Sequence, residues 1–303
     1  MRREEIVSEV VSELADEGEF DSSDRLEGMR PHRLVFKSAQ KLIRWGLFGP
    51  LFRHSPFDAW IANTVLSPPK PRTILYEGKP VTINCANAEI LGFALKWKSS
   101  RREQDARAWL AEHLSDDHTF LNVGAHIGLF VLYAHAIRQS VRTVCVEASS
   151  PNLGQLLSNV RLNRLKSVDV IHCAAGSEDK LAKFGLQTTV PGNYNGRLIL
   201  EHYAGDRPNV ASEWVQIRTM DGLLADLDAS PQIFVMDIDG HEVMALKGMA
   251  NTLQNPALKM AIIETNAHTA NDVLRIMSDA GFSNIESSPD DLGAVSNRLF
   301  IRD

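Results

Sequence analysis

The sequence predicts an α/β protein with a Rossmann-like, seven-stranded, mostly parallel sheet, preceded by an N-terminal extension of helices and a β-hairpin. Two observations carry this. From about residue 119 onward, short apolar runs of strand character alternate with segments of helical period, and alternating βα units joined by right-handed crossovers build doubly wound sheets. The first of these runs, Thr119-Phe-Leu-Asn-Val123, feeds into a glycine-spaced turn, Gly124-Ala-His-Ile-Gly128, that opens a helix. Such a junction is where open α/β sheets receive nucleotides.

Residues 1–30 are rich in Asp, Glu and Ser around a short apolar pattern (Ile6, Val7, Val10, Val11, Leu14), and weak order is expected there. From about 31 to 66 apolar residues recur at helical spacing and stop at Ser67-Pro-Pro-Lys-Pro71, because proline lacks an amide donor and clashes with the preceding turn. Arg72–Glu77 and Pro80–Asn84, separated by Gly78 and Lys79, read as a short hairpin. Ser100–Leu114 places Ala106, Trp109, Leu110 and Leu114 on one helical face. The expected strands are Thr119–Val123, Arg142–Val146, Val168–Cys173, Ile233–Met236, Met260–Ile263, Ser283–Glu286 and Arg298–Ile301. Between them lie helical patterns at Leu129–Arg138, Asn152–Asn163, Glu242–Thr252 and Ala270–Ala280. The interval from about 180 to 218, with Pro191-Gly-Asn-Tyr-Asn-Gly196, breaks the rhythm. It reads as an insertion at the carboxyl edge of the sheet, where specificity usually resides. The resulting layout is an acidic terminus (1–30), an extension (31–100) and a main domain (101–303).

Composition agrees with a globular protein: 303 residues, 44% hydrophobic and 23% charged. A net charge of −6 argues against a basic nucleic-acid surface and fits a small or uncharged substrate better. Cys85, Cys145 and Cys173 lack the spacing of a disulfide framework or a zinc site. The N-terminus has no apolar signal region, and no stretch reaches the roughly 18 apolar residues of a membrane span, so a cytoplasmic protein is expected. Leu42–Phe52, apolar behind Lys37, Lys41 and Arg44, can either rest on a membrane surface or dock on the main domain.

Chemistry concentrates at two places. Gly124 permits a sharp turn and Gly128 a close approach at the helix start, while the strand after the next helix ends in Glu147, placed to accept hydrogen bonds from both hydroxyls of a ribose. A dinucleotide fold carries a third glycine that clears space for pyrophosphate. This loop has Ala125 and His126 between its two glycines, which suits a nucleoside cofactor such as S-adenosylmethionine. Small residues from Cys173 through Ala174 to Ser177 can meet an adenine edge. The second cluster is Asp237, Asp239, His241 and Glu242 at the carboxyl end of an apolar strand, with Glu264 and His268 after the next one.

From about residue 100 the chain resembles the FkbM-type family of S-adenosylmethionine-dependent methyltransferases. The matching stretches are Asn122-Val-Gly-Ala-His-Ile-Gly128; Val146-Glu-Ala148 with Pro151, Asn152 and Asn163; Thr219-Met-Asp-Gly-Leu-Leu224; Met236-Asp-Ile-Asp-Gly-His-Glu242; and Ile263-Glu264. Asn122, His126, Ala148 and Asp239 depart from the family's usual Asp, Asn, Pro and Glu. The resemblance implies the class I methyltransferase fold and O-methylation of sugars, polyketides or other natural products. On this reading Asn122, Gly124, Ala125, His126, Gly128, Glu147, Ala174 and Asp237 hold the cofactor. Asp237, Glu264, His241 and Glu242 serve as base or as substrate-orienting acceptors. No dedicated metal site is assigned, although Asp237, Asp239 and Glu264 can instead hold a divalent ion that acidifies the hydroxyl. The competing readings are a catalytically degenerate cofactor-binding scaffold and an NAD(P)-dependent oxidoreductase. Trp45, Trp60, Trp97 and Trp214 are candidates to stack on a sugar ring.

Overall fold

The computed structural model describes residues 70–192, 196–199, 209–290 and 294–302. The chain divides into Met1–Pro68 and Pro69–Asp303, and the second unit is described below. The expectations for residues 1–66, including Leu42–Phe52, Trp45 and Trp60, lie outside the described residues.

Strands β1 (Lys70–Tyr76) and β2 (Lys79–Cys85) form the expected hairpin, closed by Glu77 and Gly78, both at positive φ. That pair of left-handed residues matches the twist of a two-residue turn. Helix α1 (Ala88–Ser99) follows, started by Asn87, whose side-chain oxygen accepts the Ile90 N–H. This helix was not expected from the sequence. In α2 (Arg101–His113) the anticipated stripe Ala106, Trp109 and Leu110 is buried.

The βα units then supply β3 (Thr119–Val123), α3 (Leu129–Ile137), β4 (Arg142–Glu147), α4 (Ser150–Leu162) and β5 (Val168–His172). The interval that broke the rhythm contains β6 (Ala174–Ala175), β7 (Lys180–Leu186), β8 (Arg197–Ile199) and β9 (Ala211–Arg218), which form a second sheet in the order β6-β9-β7-β8. After α5 (Met220–Asp226) come β10 (Ile233–Met236), α6 (Glu242–Lys247), α7 (Ala250–Gln254), β11 (Met260–Asn266), α8 (Ala270–Asp279), β12 (Phe282–Pro289) and β13 (Val295–Arg302). The single helix expected over Glu242–Thr252 is thus two. The break falls at Gly248, where a Cβ would lie 2.0 Å from the Gly176 carbonyl oxygen, and Asp221 caps the second piece by accepting from the Asn251 and Thr252 amides.

The main sheet runs β12-β13-β11-β10-β3-β4-β5, with β13 antiparallel to both neighbours. Strands β3 and β10 run parallel, and the order in which the chain adds strands reverses between them, which opens a crevice at their carboxyl ends. Successive strand residues face opposite layers: Phe120 and Val235 join one core with the hairpin and α1 to α3, whereas Leu121 and Phe234 join the other with α5 to α8. No described helix is long and apolar enough to cross a membrane.

The hairpin, grouped by the sequence with an N-terminal extension, shares the first core through Ile74, Tyr76, Val81 and Ile83. A buried cation fastens it. Arg107 on α2 donates to both Glu77 carboxylate oxygens (2.9 and 2.7 Å) and to the Trp97 carbonyl (2.6 Å), and its guanidinium lies 4.4 Å from the Trp97 ring centroid. Replacing Arg107 with Leu strands these acceptors and is expected to cost roughly 3 kcal/mol or more. Thermal unfolding followed by circular dichroism measures this, and an unchanged midpoint would contradict it.

Candidate active site

At the end of β3 the backbone bends at Gly124 (φ +81°), where a Cβ would sit 1.9 Å from the Asp237 carbonyl oxygen. Both the left-handed conformation and this close approach demand glycine. The Gly124 and Ala125 amides donate to the Val146 carbonyl at 3.0 and 2.9 Å, linking the turn to β4. His126 also has positive φ, and Gly128 starts α3 where a Cβ would lie 2.4 Å from Leu156 Cδ1.

Glu147 ends β4 beneath this turn. One carboxylate oxygen accepts the His126 N–H and the other the Ser149 N–H, each at 2.7 Å. The Ala148 amide also acts on this carboxylate; a carboxylate offers about four lone-pair positions, so some acceptor capacity remains. Burial pushes its pKa up to about 7, against the lowering effect of the Ser149 and His126 amides.

Beside the turn lies a cavity of about 670 Å³, a size typical of ligand sites. Gly124, His126, Glu147, Ala174, Asp237 and Glu264 are among the residues around it. One wall is aromatic: Phe93 meets the His126 ring at 4.4 Å between centroids, and Trp97 meets Phe130 at 5.1 Å. Small apolar residues, Ala148, Cys173 and Ala174, line the side below Glu147.

The opposite side is acidic. The register of β10 with β11 pairs Met236 with Ile263, so Asp237 and Glu264 emerge together. Oxygens of Asp237, Asp239 and Glu264 lie within 4.8 Å of one another, a set able to hold a divalent cation. Burial, then the neighbouring Glu264 charge, raises Asp237 well above the usual carboxylate range. Burial also raises Glu264, opposed by Arg102. Asp239 is open to solvent in the cavity, yet enough protein surrounds it that burial and the Asp237 charge push it up to about 8. Burial lowers the His241 pKa, favouring the neutral ring.

Of the expected residues, Gly124, Ala125, His126, Glu147, Ala174, Asp237, Asp239, His241 and Glu264 border this one cavity. Asn122, Gly128 and Glu242 do not. Asn122 is buried in β3 with neither amide atom hydrogen-bonded among the described residues. Gly128 serves the α3 start. Buried Glu242 accepts the Gly240 N–H at 2.9 Å, bracing the turn after β10. Trp97 belongs to core and cavity wall, whereas Trp214 is exposed on β9 with Lys183 over its ring.

Sequence reasoning missed Arg102. From the first turn of α2 it ion-pairs with Glu264 and donates to Glu103 at 2.6 Å. A signal was present: consecutive arginines at a helix N-terminus oppose the helix dipole, so another partner had to justify them.

A seven-stranded sheet of this order, with a glycine turn after its first strand and an acid ending its second, defines a class I S-adenosylmethionine-dependent methyltransferase fold. A family profile described as the methyltransferase FkbM domain matches residues 122–283. The chain belongs to that family, whose cofactor is S-adenosylmethionine. No curated protein matches the chain. Among solved structures it is similar to an FkbM methyltransferase from Methylobacillus flagellatus KT, at 17% identity and TM-score 0.44 over 71% of this chain and 55% of that one. The chain therefore spans little more than half the length of that relative. A precorrin-6y C5,15-methyltransferase from Geobacter metallireducens GS-15 gives 12% identity and TM-score 0.42 over 68% and 92% of the two chains. Fibrillarin from Aeropyrum pernix, solved with natively bound S-adenosyl-L-methionine, gives 12% and 0.40 over 65% and 74%.

Gly124→Ala is expected to abolish cofactor binding, because the new methyl meets backbone that cannot yield. Glu147→Ala is expected to weaken binding by roughly 1–3 kcal/mol. Since only the ionised carboxylate offers all its acceptor positions and Glu147 ionises near 7, affinity should rise from about pH 6 to about pH 8 and flatten in Glu147→Gln. Calorimetric titration with S-adenosylmethionine reads all three; a wild-type profile identical to that of Glu147→Gln would refute the assignment.

Proposed function

We propose that this protein O-methylates a hydroxyl of a small-molecule or glycan acceptor, such as a sugar, a polyketide or another natural product. The observation supporting it most is that the acid cluster and the nucleoside-type turn border one cavity, joined where Gly124 meets Asp237. The residues fit the cofactor: Glu147 retains acceptor capacity for a ribose hydroxyl, and Ala148, Cys173 and Ala174 offer an apolar edge to a purine. When bound, S-adenosylmethionine supplies a methyl group activated on a sulfonium.

The protein's part is to hold the acceptor oxygen in line and take its proton. Asp237 is the proton acceptor. Its raised pKa makes it a stronger base than an ordinary carboxylate, closer to the matching that general-base catalysis favours. Glu264, fixed by Arg102, orients the hydroxyl, and neutral His241 can accept or donate a further hydrogen bond.

A second reading follows from the spacing of Asp237, Asp239 and Glu264: a divalent ion held there would acidify the hydroxyl instead. Incubation of the protein with methyl-labelled cofactor and a metabolite extract, analysed by mass spectrometry, tests the main proposal, and label on an ether carbon is the expected result. Asp237→Asn should lose roughly 100- to 10,000-fold in kcat, more than any change in cofactor Kd. Turnover that survives exhaustive chelation supports the base mechanism, and turnover restored only by added magnesium or manganese supports the metal reading. Label confined to nitrogen or carbon would overturn the proposal.

A further inference from the structure

Helix α4 stands beside the outer edge of β2, and its amide side chains occupy the place of a further strand. Gln155, Asn159 and Asn163 recur every fourth residue, about 6 Å apart along a helix. The outward backbone groups of a strand recur every second residue, about 6.6–6.8 Å. Those periods match over the one step from Asn163 on Thr82 to Asn159 on Asn84, and Gln155 adds a second contact at Asn84. Asn163 Oδ1 accepts the Thr82 N–H at 3.3 Å, and its Nδ2 donates to the Thr82 carbonyl at 2.6 Å. Asn159 Oδ1 accepts the Asn84 N–H at 2.8 Å, while Gln155 Nε2 donates to the Asn84 carbonyl at 2.6 Å and to Asn159 Oδ1 at 3.1 Å. An otherwise open strand edge is thereby closed.

Asn159 does something the other two do not. Its Nδ2 donates to the Ile127 carbonyl at 2.8 Å, inside the glycine turn. Both residues are fully buried, so no water replaces this donor if it is lost. The bond sets the plane of the Ile127–Gly128 peptide, where the chain passes from His126 at positive φ into α3. Leu156, one turn earlier on α4, packs against the space beside Gly128.

We infer that Asn159 is a positioning residue of the cofactor turn, holding the Gly124–Gly128 backbone and the His126 amide in register with Glu147. The inference rests on the reading of this turn and Glu147 as the cofactor site. Asn163 performs the same chemistry on the hairpin and donates to the Asn159 carbonyl at 2.8 Å, but no bond from its side chain reaches the glycine turn, which makes it the matched control.

Calorimetric titration of the full chain with S-adenosylhomocysteine, alongside thermal unfolding, is the test. Asn159→Asp keeps the acceptor toward Asn84 but loses the donor toward Ile127, and its Kd should rise about tenfold. Asn163→Leu should lower the unfolding midpoint yet leave Kd within about twofold of wild type. Should Asn159→Asp fail to fold, Gln155→Leu, which removes the bond orienting the Asn159 amide, is expected to weaken binding in the same direction. An unchanged Kd in a folded Asn159 or Gln155 variant would overturn the inference. So would Asn163→Leu weakening binding as much as Asn159→Asp, because the effect would then track stability alone. Wild-type protein that does not bind the ligand would overturn the cofactor reading itself, an outcome separate from either.

Discussion

The site depends on one close approach, the Gly124 backbone against the carbonyl of Asp237. Strands β3 and β10 are neighbours at the point where the sheet reverses its order, so the loops leaving them would otherwise diverge. Contact at Gly124 keeps them together. The glycine turn on one side and the acid cluster on the other therefore border a single cavity. Glycine is required here by packing against protein backbone, before any ligand is considered.

From that contact a closed circuit of hydrogen bonds extends across the first two strands. The Gly124 and Ala125 amides reach Val146, and Glu147 returns the connection by accepting from His126 and Ser149. Electrostatics on the far side are less balanced. Asp237, Asp239 and Glu264 crowd together while Arg102 supplies the main opposing charge among the described residues, pairing with Glu264. Like charges held this close out of bulk water raise one another's proton affinity, and that excess basicity is what the proposed proton transfer uses. Similar bonds explain why the hairpin packs with the βα core: Arg107 fastens its turn to α2, and amides of α4 close its edge.

Most of the fold was legible because each strand announces itself through apolar residues bounded by breakers. Thr119–Val123 and Ile233–Met236 have the limits their hydrophobic runs suggest. Helix α1 was missed since its apolar residues, read beside the hairpin, give only a weak amphipathic pattern, and its start depends on one Asn87 side chain. The single helix expected over 242–252 breaks at Gly248 because distant Gly176 packs there, a contact no local pattern contains. In the site, Glu147, Asp237 and Glu264 were visible as acids ending buried strands. Arg102 was not, since its partners lie 162 residues away on β11 as well as beside it.

Sequence alone determined the βα alternation, the glycine turn and the acids at the strand ends, since these follow from side-chain periodicity and from what glycine and carboxylates do locally. It also carried the family resemblance, through motifs lying in those same segments. Tertiary structure decided which of those residues meet. It set Asn122, Gly128 and Glu242 back from the cavity, brought in Arg102 and Phe93 from helices outside the βα repeat, and tied Asn159 to the glycine turn. Such pairings depend on strand order and helix packing, and neither is written in any local stretch of the chain.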